Sequence, residues 1–312
     1  MFRWVSFMRK LTVVGAGKLG SCIAYEVANR GLVNELVLID LYRELAEGNA
    51  EDIKQSLAFR NGAEVYAGDY RDAEGSDVVV IAAGKPRTPD MKSRMDLIEV
   101  NKKIIREVAS NLKSMGGEFV VVTLTNPLDV MNYLVWRYTG FDRSRVIGSA
   151  GQLDSSRFRC VLSRRLKLSV LDIDAFVIGE HGDDQVPVFS RVKVKGKPVR
   201  FTDVEKVEIW EELKTSALNV ISKKGATIFA PANNTANIIQ SILRDEKKLA
   251  VCSAILDGEY GLSGVSIGVP AILGRSGIEA ILEWRLSEDE RLRFEAGAEK
   301  LRRIIEQVIG SN

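Results

Sequence analysis

The chain has 312 residues, of which 46% are hydrophobic, so it can bury the core of one large α/β unit or of two lobes. Its 44 basic and 42 acidic residues leave a net charge of +2, which argues against a nucleic-acid partner. No apolar run approaches the roughly 20 residues that a bilayer-spanning helix needs, so we expect no membrane partner. The three cysteines lack metal-ligand spacing, which predicts no metal site and fits a cytoplasmic location.

The first half of the chain alternates apolar runs with segments of helical spacing. The predicted strands are residues 11–14, 35–40, 77–84 and 118–123. The predicted helices are residues 21–29, 45–60 and 97–115. Because the apolar runs are continuous rather than alternating, both faces of each strand should be covered. Alternation of strand and helix then predicts an α/β fold with a doubly wound parallel sheet over residues 1–150.

The second half has a mixed pattern, which predicts an α+β domain over residues 151–312. Residues 191–201 alternate around a glycine turn, as in an antiparallel hairpin. Further predicted elements are helices over 204–223 and after Pro231, strands over 249–256 and 265–273, and a final helix opened by the capping-box spacing of Ser287 and Glu290. No Pro/Gly-rich linker separates the two halves, so we expect them to pack tightly.

A glycine-rich turn follows the first predicted strand. Residues 15–20 read GAGKLG, which matches G-x-G-x-x-G between a strand and a helix, and Asp40 ends the next strand. This context is typical of a Rossmann dinucleotide-binding domain, with the pyrophosphate at the helix N-terminus. Asp40 can accept hydrogen bonds from both ribose hydroxyls and would repel a 2′-phosphate, which favours NAD over NADP. The nearby Arg43 leaves room for some binding of NADP.

The chain contains a single histidine, His181. A strand-like stretch over 174–178 precedes it, glycines on both sides allow close approach of the backbone, and Glu180 and Asp183 add charge beside the ring. Any imidazole chemistry near neutral pH must therefore use His181, and we predict that it is catalytic. The alternative is a structural histidine at the end of a strand.

Polar residues follow two further predicted strands, at the edge where ligands bind in open α/β sheets. The loop 85–94 carries Arg87 and Arg94, although such a basic loop can also be a solvated surface. Asn126 follows the next strand, and the Asn126–Pro127 bond is a candidate for the cis form.

Asp154 and Arg157 are three residues apart, so on a helix they share a face. They are candidates for a site, and the alternative is an ion pair within the helix.

These motifs, taken in their order along the chain, resemble those of the malate/lactate dehydrogenase family. The resemblance covers about residues 10 to 308. The resemblance rests on residues 15–20, Asp40, Arg87 to Arg94, Asn126-Pro127, 153–157 and 179–183. It implies hydride transfer between NADH and oxaloacetate/L-malate, with His181 as acid/base, Asp154 as its carboxylate partner and Arg94 polarising the reacting carbonyl. The substrate-binding residues that it implies are Arg87, Arg94, Asn126, Arg157 (on the C1 carboxylate) and Thr227. The predicted cofactor-binding residues are Gly15, Gly17, Lys18, Leu19, Gly20, Asp40, Asn101 and Asn126.

Arg87 falls where malate dehydrogenases carry Arg and lactate dehydrogenases carry Gln, so the chain is similar to a lactate-dehydrogenase-like malate dehydrogenase. The stretch from Arg87 to Arg94 is one residue longer than the usual family spacing, and Asp90 stands near a habitual glycine. An L-lactate or other 2-hydroxyacid dehydrogenase is therefore the alternative. The resemblance also implies a homo-oligomer, and we expect a tetramer rather than a dimer.

Two other functional classes fit the sequence poorly. An NAD-dependent glycosidase of related fold needs a metal site with His and Cys ligands, which a single histidine fits poorly. A non-enzymatic NAD sensor would not need Asp154, Arg157 and His181 together.

Overall fold

The computed structural model describes residues 8–86 and 94–310, and for Arg94 the backbone only. Within these ranges eleven strands form one mixed sheet. Three short strands form a second sheet.

The first six strands pair in parallel, with helices in the connections. The strands are β1 (Lys10–Val14), β2 (Glu35–Ile39), β3 (Glu64–Ala67), β4 (Val78–Ile81), β5 (Val120–Thr123) and β6 (Val146–Gly148). The helices are α1 (Lys18–Asn29), α2 (Arg43–Ser56), α3 (Arg94–Met115) and α4 (Leu128–Thr139). The order 3-2-1-4-5-6 is that of the doubly wound dinucleotide-binding fold, with its crevice where the order reverses between β1 and β4. The predicted fold class is confirmed.

The second half continues the same sheet with antiparallel strands. Its helices are α5 (Gly151–Leu166), α6 (Asp203–Lys224), α7 (Phe229–Leu243) and α8 (Glu288–Gly310). Its strands are β7 (Ile173–Asp174), β8 (Val177–Gly179), β9 (Gln185–Pro187), β10 (Lys193–Val194), β11 (Lys197–Pro198), β12 (Lys248–Asp257), β13 (Ser263–Gly274) and β14 (Gly277–Ile281). The strand order of the whole sheet is β3-β2-β1-β4-β5-β6-β12-β13-β8-β9, with β14 paired to β13. Ser253 of β12 pairs with Gly148 of β6, so the sheet runs across the predicted domain boundary at residue 150.

Several elements differ from the sequence prediction in their bounds, and one differs in its pairing. The strand expected over 174–178 is broken, because β7 pairs with the β10 hairpin strand whereas β8 pairs with β13. Helix α7 begins at Phe229 rather than after Pro231. Proline is tolerated there because the first turn of a helix has no intrahelical partner for its N–H.

The strands of the sheet supply much of the buried hydrophobic core. Strands β4 and β5 are buried along their whole length, as their continuous Val/Ile runs predict. A smaller hydrophobic cluster, which includes Phe158 and Ile209, packs α5 and α6 together. No helix in the described ranges is long and apolar enough to cross a membrane.

Candidate active site

Residues that follow the parallel strands lie at one edge of the sheet. Gly15 follows β1, Asp40 follows β2, Lys85 comes after β4 and Asn126 after β5. Since the carboxyl ends of parallel strands meet at the same edge, these residues surround the crevice where an α/β sheet binds its ligand.

The three motif glycines have different surroundings. A Cβ atom on Gly15 (φ +101°) would lie 2.5 Å from the Ala83 nitrogen, and one on Gly20 would lie 1.8 Å from the Gly15 oxygen. A Cβ atom on Gly17 would meet no atom within 4 Å. Gly15 and Gly20 therefore allow strand and helix to pack closely, whereas Gly17 leaves open space at the N-terminus of α1. That space fits a dinucleotide pyrophosphate.

The carboxylate of Asp40 is held in place by main-chain donors. Its Oδ2 accepts the Ala16 N–H at 2.7 Å, and its Oδ1 accepts the Tyr42 N–H at 2.9 Å. Arg43 pairs with Glu47 at 2.8 Å on the surface of α2. In the glycine turn Lys18 is exposed and Leu19 is half-buried.

Asn101 organises the main chain at the same edge. It is fully buried in α3, where its Oδ1 accepts the Lys85 N–H at 2.8 Å and its Nδ2 donates to the Lys85 and Asn126 carbonyls at 3.1 and 2.7 Å. Asn126 itself is exposed, and the Asn126–Pro127 bond is cis. Asn101 thus fixes the peptide groups of Lys85 and Asn126 at this edge, where Asn126 is exposed.

One carboxylate joins the candidate acid/base to a guanidinium. The Oδ2 of Asp154 lies 2.7 Å from Nδ1 of His181, and its Oδ1 accepts a hydrogen bond from Nη1 of Arg157 at 2.9 Å. The side chains of Asp154, Arg157 and His181 are 5%, 16% and 21% exposed. The ion pair within α5 and the contact with His181 therefore exist together. Because an ionised carboxylate only accepts hydrogen bonds, Nδ1 donates and Nε2 remains to exchange a proton with a ligand.

The charges around the ring favour its protonated form. Burial disfavours the imidazolium, but the carboxylate of Asp154 outweighs this and raises the pKa of His181 above its usual value. Asp129 acts in the same direction, whereas Arg157 opposes it. The site can therefore hold a proton on His181 at a pH where a free histidine would have lost it.

Sequence reasoning gave Asp129 no role, although it lies in the same run as Asn126. It is buried in the first turn of α4, and its Oδ2 accepts the main-chain N–H of His181 at 2.8 Å. The two residues are 52 positions apart, so no local pattern could have paired them.

The remaining predicted residues lie at or outside the limits of the described chain. Arg87 lies outside the described residues, as does the side chain of Arg94, whose backbone begins α3. Thr227 is half-buried in the connection between α6 and α7. Over the described ranges, no group of three or more His, Cys, Asp or Glu side chains is placed to hold a metal ion.

A dinucleotide-binding edge beside an imidazole–carboxylate pair defines the class of NAD-dependent oxidoreductases. Residues 9–148 match the NAD-binding domain of lactate/malate dehydrogenases, and residues 151–311 match the alpha/beta C-terminal domain of the same proteins. The chain belongs to the lactate/malate dehydrogenase family, and its cofactor is NAD.

Similar proteins carry both names. The chain is 44% identical to the malate dehydrogenase of Halobacterium salinarum over 94% of this chain and 97% of that protein. It is 37% identical to L-lactate dehydrogenase 2 of Lactococcus lactis subsp. lactis over 96% of this chain and 98% of that protein. The crystal structure of Cryptosporidium parvum malate dehydrogenase matches with a TM-score of 0.92 at 32% identity, covering 97% of this chain and 99% of that chain. These comparisons establish the family, and both substrates occur in it.

Proposed function

We propose that this protein is a malate dehydrogenase, which reduces oxaloacetate to L-malate with NADH and catalyses the reverse reaction. The observation that carries the proposal is the position of Asp154, whose two oxygens contact His181 and Arg157. An acid/base and a carboxylate-binding cation are thereby held side by side. A 2-hydroxy acid offers those two groups a hydroxyl and a neighbouring carboxylate.

When bound, NADH would supply a hydride to the carbonyl carbon of the substrate, and NAD would accept one in the reverse direction. His181 gives its Nε2 proton to the carbonyl oxygen, and Asp154 stabilises the imidazolium before transfer. Arg157 has Nη2 and Nε for the C1 carboxylate, because its hydrogen bond to Asp154 uses Nη1. A planar guanidinium can hold that carboxylate with two hydrogen bonds and so fix its orientation. Arg94 polarises the reacting carbonyl, as the family pattern implies.

The glycine turn, Asp40 and Asn126 would hold the cofactor at this edge. The open space at Gly17 and the free N–H groups of α1 would receive the pyrophosphate. Asp40 would accept hydrogen bonds from the ribose hydroxyls, and Asn126 would contact both cofactor and substrate. Asn101 acts through Lys85 and Asn126, whose peptide groups it holds. Thr227 lines the substrate side.

Arg87 is the residue that we propose as the selector for oxaloacetate. Oxaloacetate has a second carboxylate, which needs a cation in a site that excludes water. Arg87 supplies it, with Lys85 or Lys92 as the alternative if the longer loop turns Arg87 to solvent.

Reduction of pyruvate to lactate is the second candidate, because L-lactate dehydrogenases are nearly as similar to the chain as malate dehydrogenases. Oxidation of NADH, followed by absorbance with oxaloacetate and then with pyruvate, distinguishes the two. We expect fast oxidation with oxaloacetate and slow oxidation with pyruvate. Faster oxidation with pyruvate would replace the malate assignment by the lactate one.

We also propose that the protein is cytoplasmic and that its domains divide at residue 150. We further propose that it is a homotetramer. Helix α6 supports assembly because it exposes apolar side chains at Val207, Leu218 and Ile221, which a second copy of the chain would cover. Native mass spectrometry tests the oligomeric state, and a monomer at micromolar concentration would rule out the tetramer.

A further inference from the structure

A second buried carboxylate lies beside His181. Only 2% of the surface of Asp129 is exposed, and its two oxygens accept the His181 N–H at 2.8 Å and the Ser253 O–H at 2.6 Å. Both donors are neutral, and over the described ranges Asp129 forms no ion pair with lysine or arginine. The carboxylate of Asp129 is thus buried against the main chain of His181, and both of its described hydrogen-bond donors are neutral.

The position of Asp129 is fixed by serine hydroxyls on two strands and by an amide group on its own helix. Ser253 Oγ lies 2.8 Å from Ser266 Oγ, and Asn132 Nδ2 donates to Ser266 Oγ at 3.0 Å. Ser253 and Ser266 lie on β12 and β13 and Asn132 lies on α4, so the network ties α4 of the first half to two strands of the second. A carboxylate held this way restrains the His181 main chain and leaves the ring free to bond with Asp154.

Several charges face the imidazole. Asp154 and Arg157 approach it from α5, Asp129 from α4, and Glu180 precedes it in the chain. Asp154 and Asp129 raise the pKa of His181, whereas Arg157 lowers it. Burial raises the pKa of Asp129 to about 6, so this carboxyl is largely ionised at neutral pH.

We propose that Asp129 is a positioning residue for the acid/base reaction. It fixes the main chain of His181 through its Oδ2 oxygen, and its negative charge stabilises the imidazolium form. It acts through His181 and not on the substrate. This inference rests on the proposed acid/base role of His181.

The substitution Asp129→Asn separates charge from shape, because the asparagine oxygen can still accept a hydrogen bond. Removing a negative charge near an imidazolium lowers its pKa, and we expect a decrease of about 0.5–1 pH unit. The KM for oxaloacetate should then begin to rise at a correspondingly lower pH. The kcat at low pH, where the ring is protonated in both proteins, should change less than threefold.

The imidazole can be titrated directly, because His181 is the only histidine in the chain. In tag-free protein labelled with ¹⁵N, each ring nitrogen gives one signal whose shift reports the protonation of His181. The matched control is Asn132→Ala, which loosens the same network without changing a charge. We expect it to lower the melting temperature and leave the imidazole midpoint unchanged. An unchanged midpoint in Asp129→Asn, or equal shifts in both variants, would overturn the proposal.

Ser253→Ala keeps the test decisive if Asp129→Asn does not fold. It removes one donor to the carboxylate and so raises the proton affinity of Asp129, which makes Asp129 less charged near neutral pH. The imidazole midpoint should move down, by less than in Asp129→Asn. A folded Ser253→Ala variant with the wild-type midpoint would refute the role of the charge. The titration does not depend on turnover. Its result can therefore be interpreted even if oxaloacetate is not the substrate.

Discussion

The Asp154 carboxylate contacts the His181 ring from 27 residues away in the chain, at 2.7 Å between Oδ2 and Nδ1. The same carboxylate also binds Arg157 through its other oxygen. The acid/base and the proposed carboxylate clamp therefore share one anchor. A change at Asp154 should disturb both of them.

The substitution Asp154→Asn should lower kcat by roughly 10³–10⁴-fold, by analogy with loss of the carboxylate in a hydrolase triad. The neutral amide cannot stabilise the imidazolium, and it can hold the wrong tautomer of the ring. Steady-state NADH oxidation measures kcat, and quenching of tryptophan fluorescence measures NADH binding, which should stay within a few-fold of the wild type.

The control is Asp183→Asn, which makes the same chemical change at an exposed residue two positions after His181. Solvent screens that charge, so kcat should change less than threefold. Comparable losses in the two variants would show that general charge near the loop, and not the Asp154 contact, supports the reaction.

The pH dependence of the two directions should be opposite. Oxaloacetate needs protonated His181, so its KM should stay low up to the imidazole pKa and rise about tenfold per pH unit above it. Since the folded protein raises that pKa, the rise should begin above the roughly 6.5 of a free histidine. For malate oxidation kcat/KM should increase with pH over the same range. If a His181→Asn variant keeps the pH dependence of KM for oxaloacetate or of kcat/KM for malate, the imidazole has no part in the mechanism.

Asp40 should set the preference for NADH over NADPH. Its carboxylate is held at the crevice by Ala16 and Tyr42, where it would repel a 2′-phosphate. The ratio of kcat/KM for the two cofactors should favour NADH and fall at least tenfold in Asp40→Ala. Asp52→Ala, an exposed residue of α2, is the control and should leave the ratio unchanged. An unchanged ratio in Asp40→Ala would assign the selectivity elsewhere.

Two glycine substitutions should separate cofactor binding from folding. Gly17→Ala places a methyl group in open space, so the melting temperature should be retained while the Kd for NADH rises at least tenfold. Gly20→Ala forces a Cβ to within 1.8 Å of the Gly15 oxygen and should lower the melting temperature. Gly48→Ala, at an unobstructed position in α2, should be neutral or slightly stabilising. Normal NADH binding by Gly17→Ala would contradict the placement of the pyrophosphate.

The sequence predicted the sheet and its binding edge because both depend on local patterns. The apolar run in β4 and the GAGKLG turn each carry their own signal, and the family assignment and NAD are confirmed. The pairing of β6 with β12 rests on one bridge between Gly148 and Ser253, which no local pattern encodes.

The candidate site was predictable only in part. His181 attracted attention as the sole histidine, but its pairing with Asp154 came from the family resemblance and not from spacing. Asp129 was missed because its hydrogen bond to His181 is a main-chain contact across 52 residues. The domain division and the roles of the site residues stay predictions until variants are measured.

The ratio of kcat/KM for oxaloacetate to that for pyruvate, in the wild type and in Arg87→Gln, tests the central claim most directly. An arginine left unpaired in a closed site costs on the order of 3–5 kcal/mol. That corresponds to roughly 10²–10⁴ in kcat/KM. The wild-type ratio should therefore exceed about 10², and Arg87→Gln should lower it at least tenfold. A wild type that reduces pyruvate as well as oxaloacetate would contradict the assignment. If the wild type is selective and Arg87→Gln leaves the ratio unchanged, selection of oxaloacetate is assigned to Lys85 or Lys92.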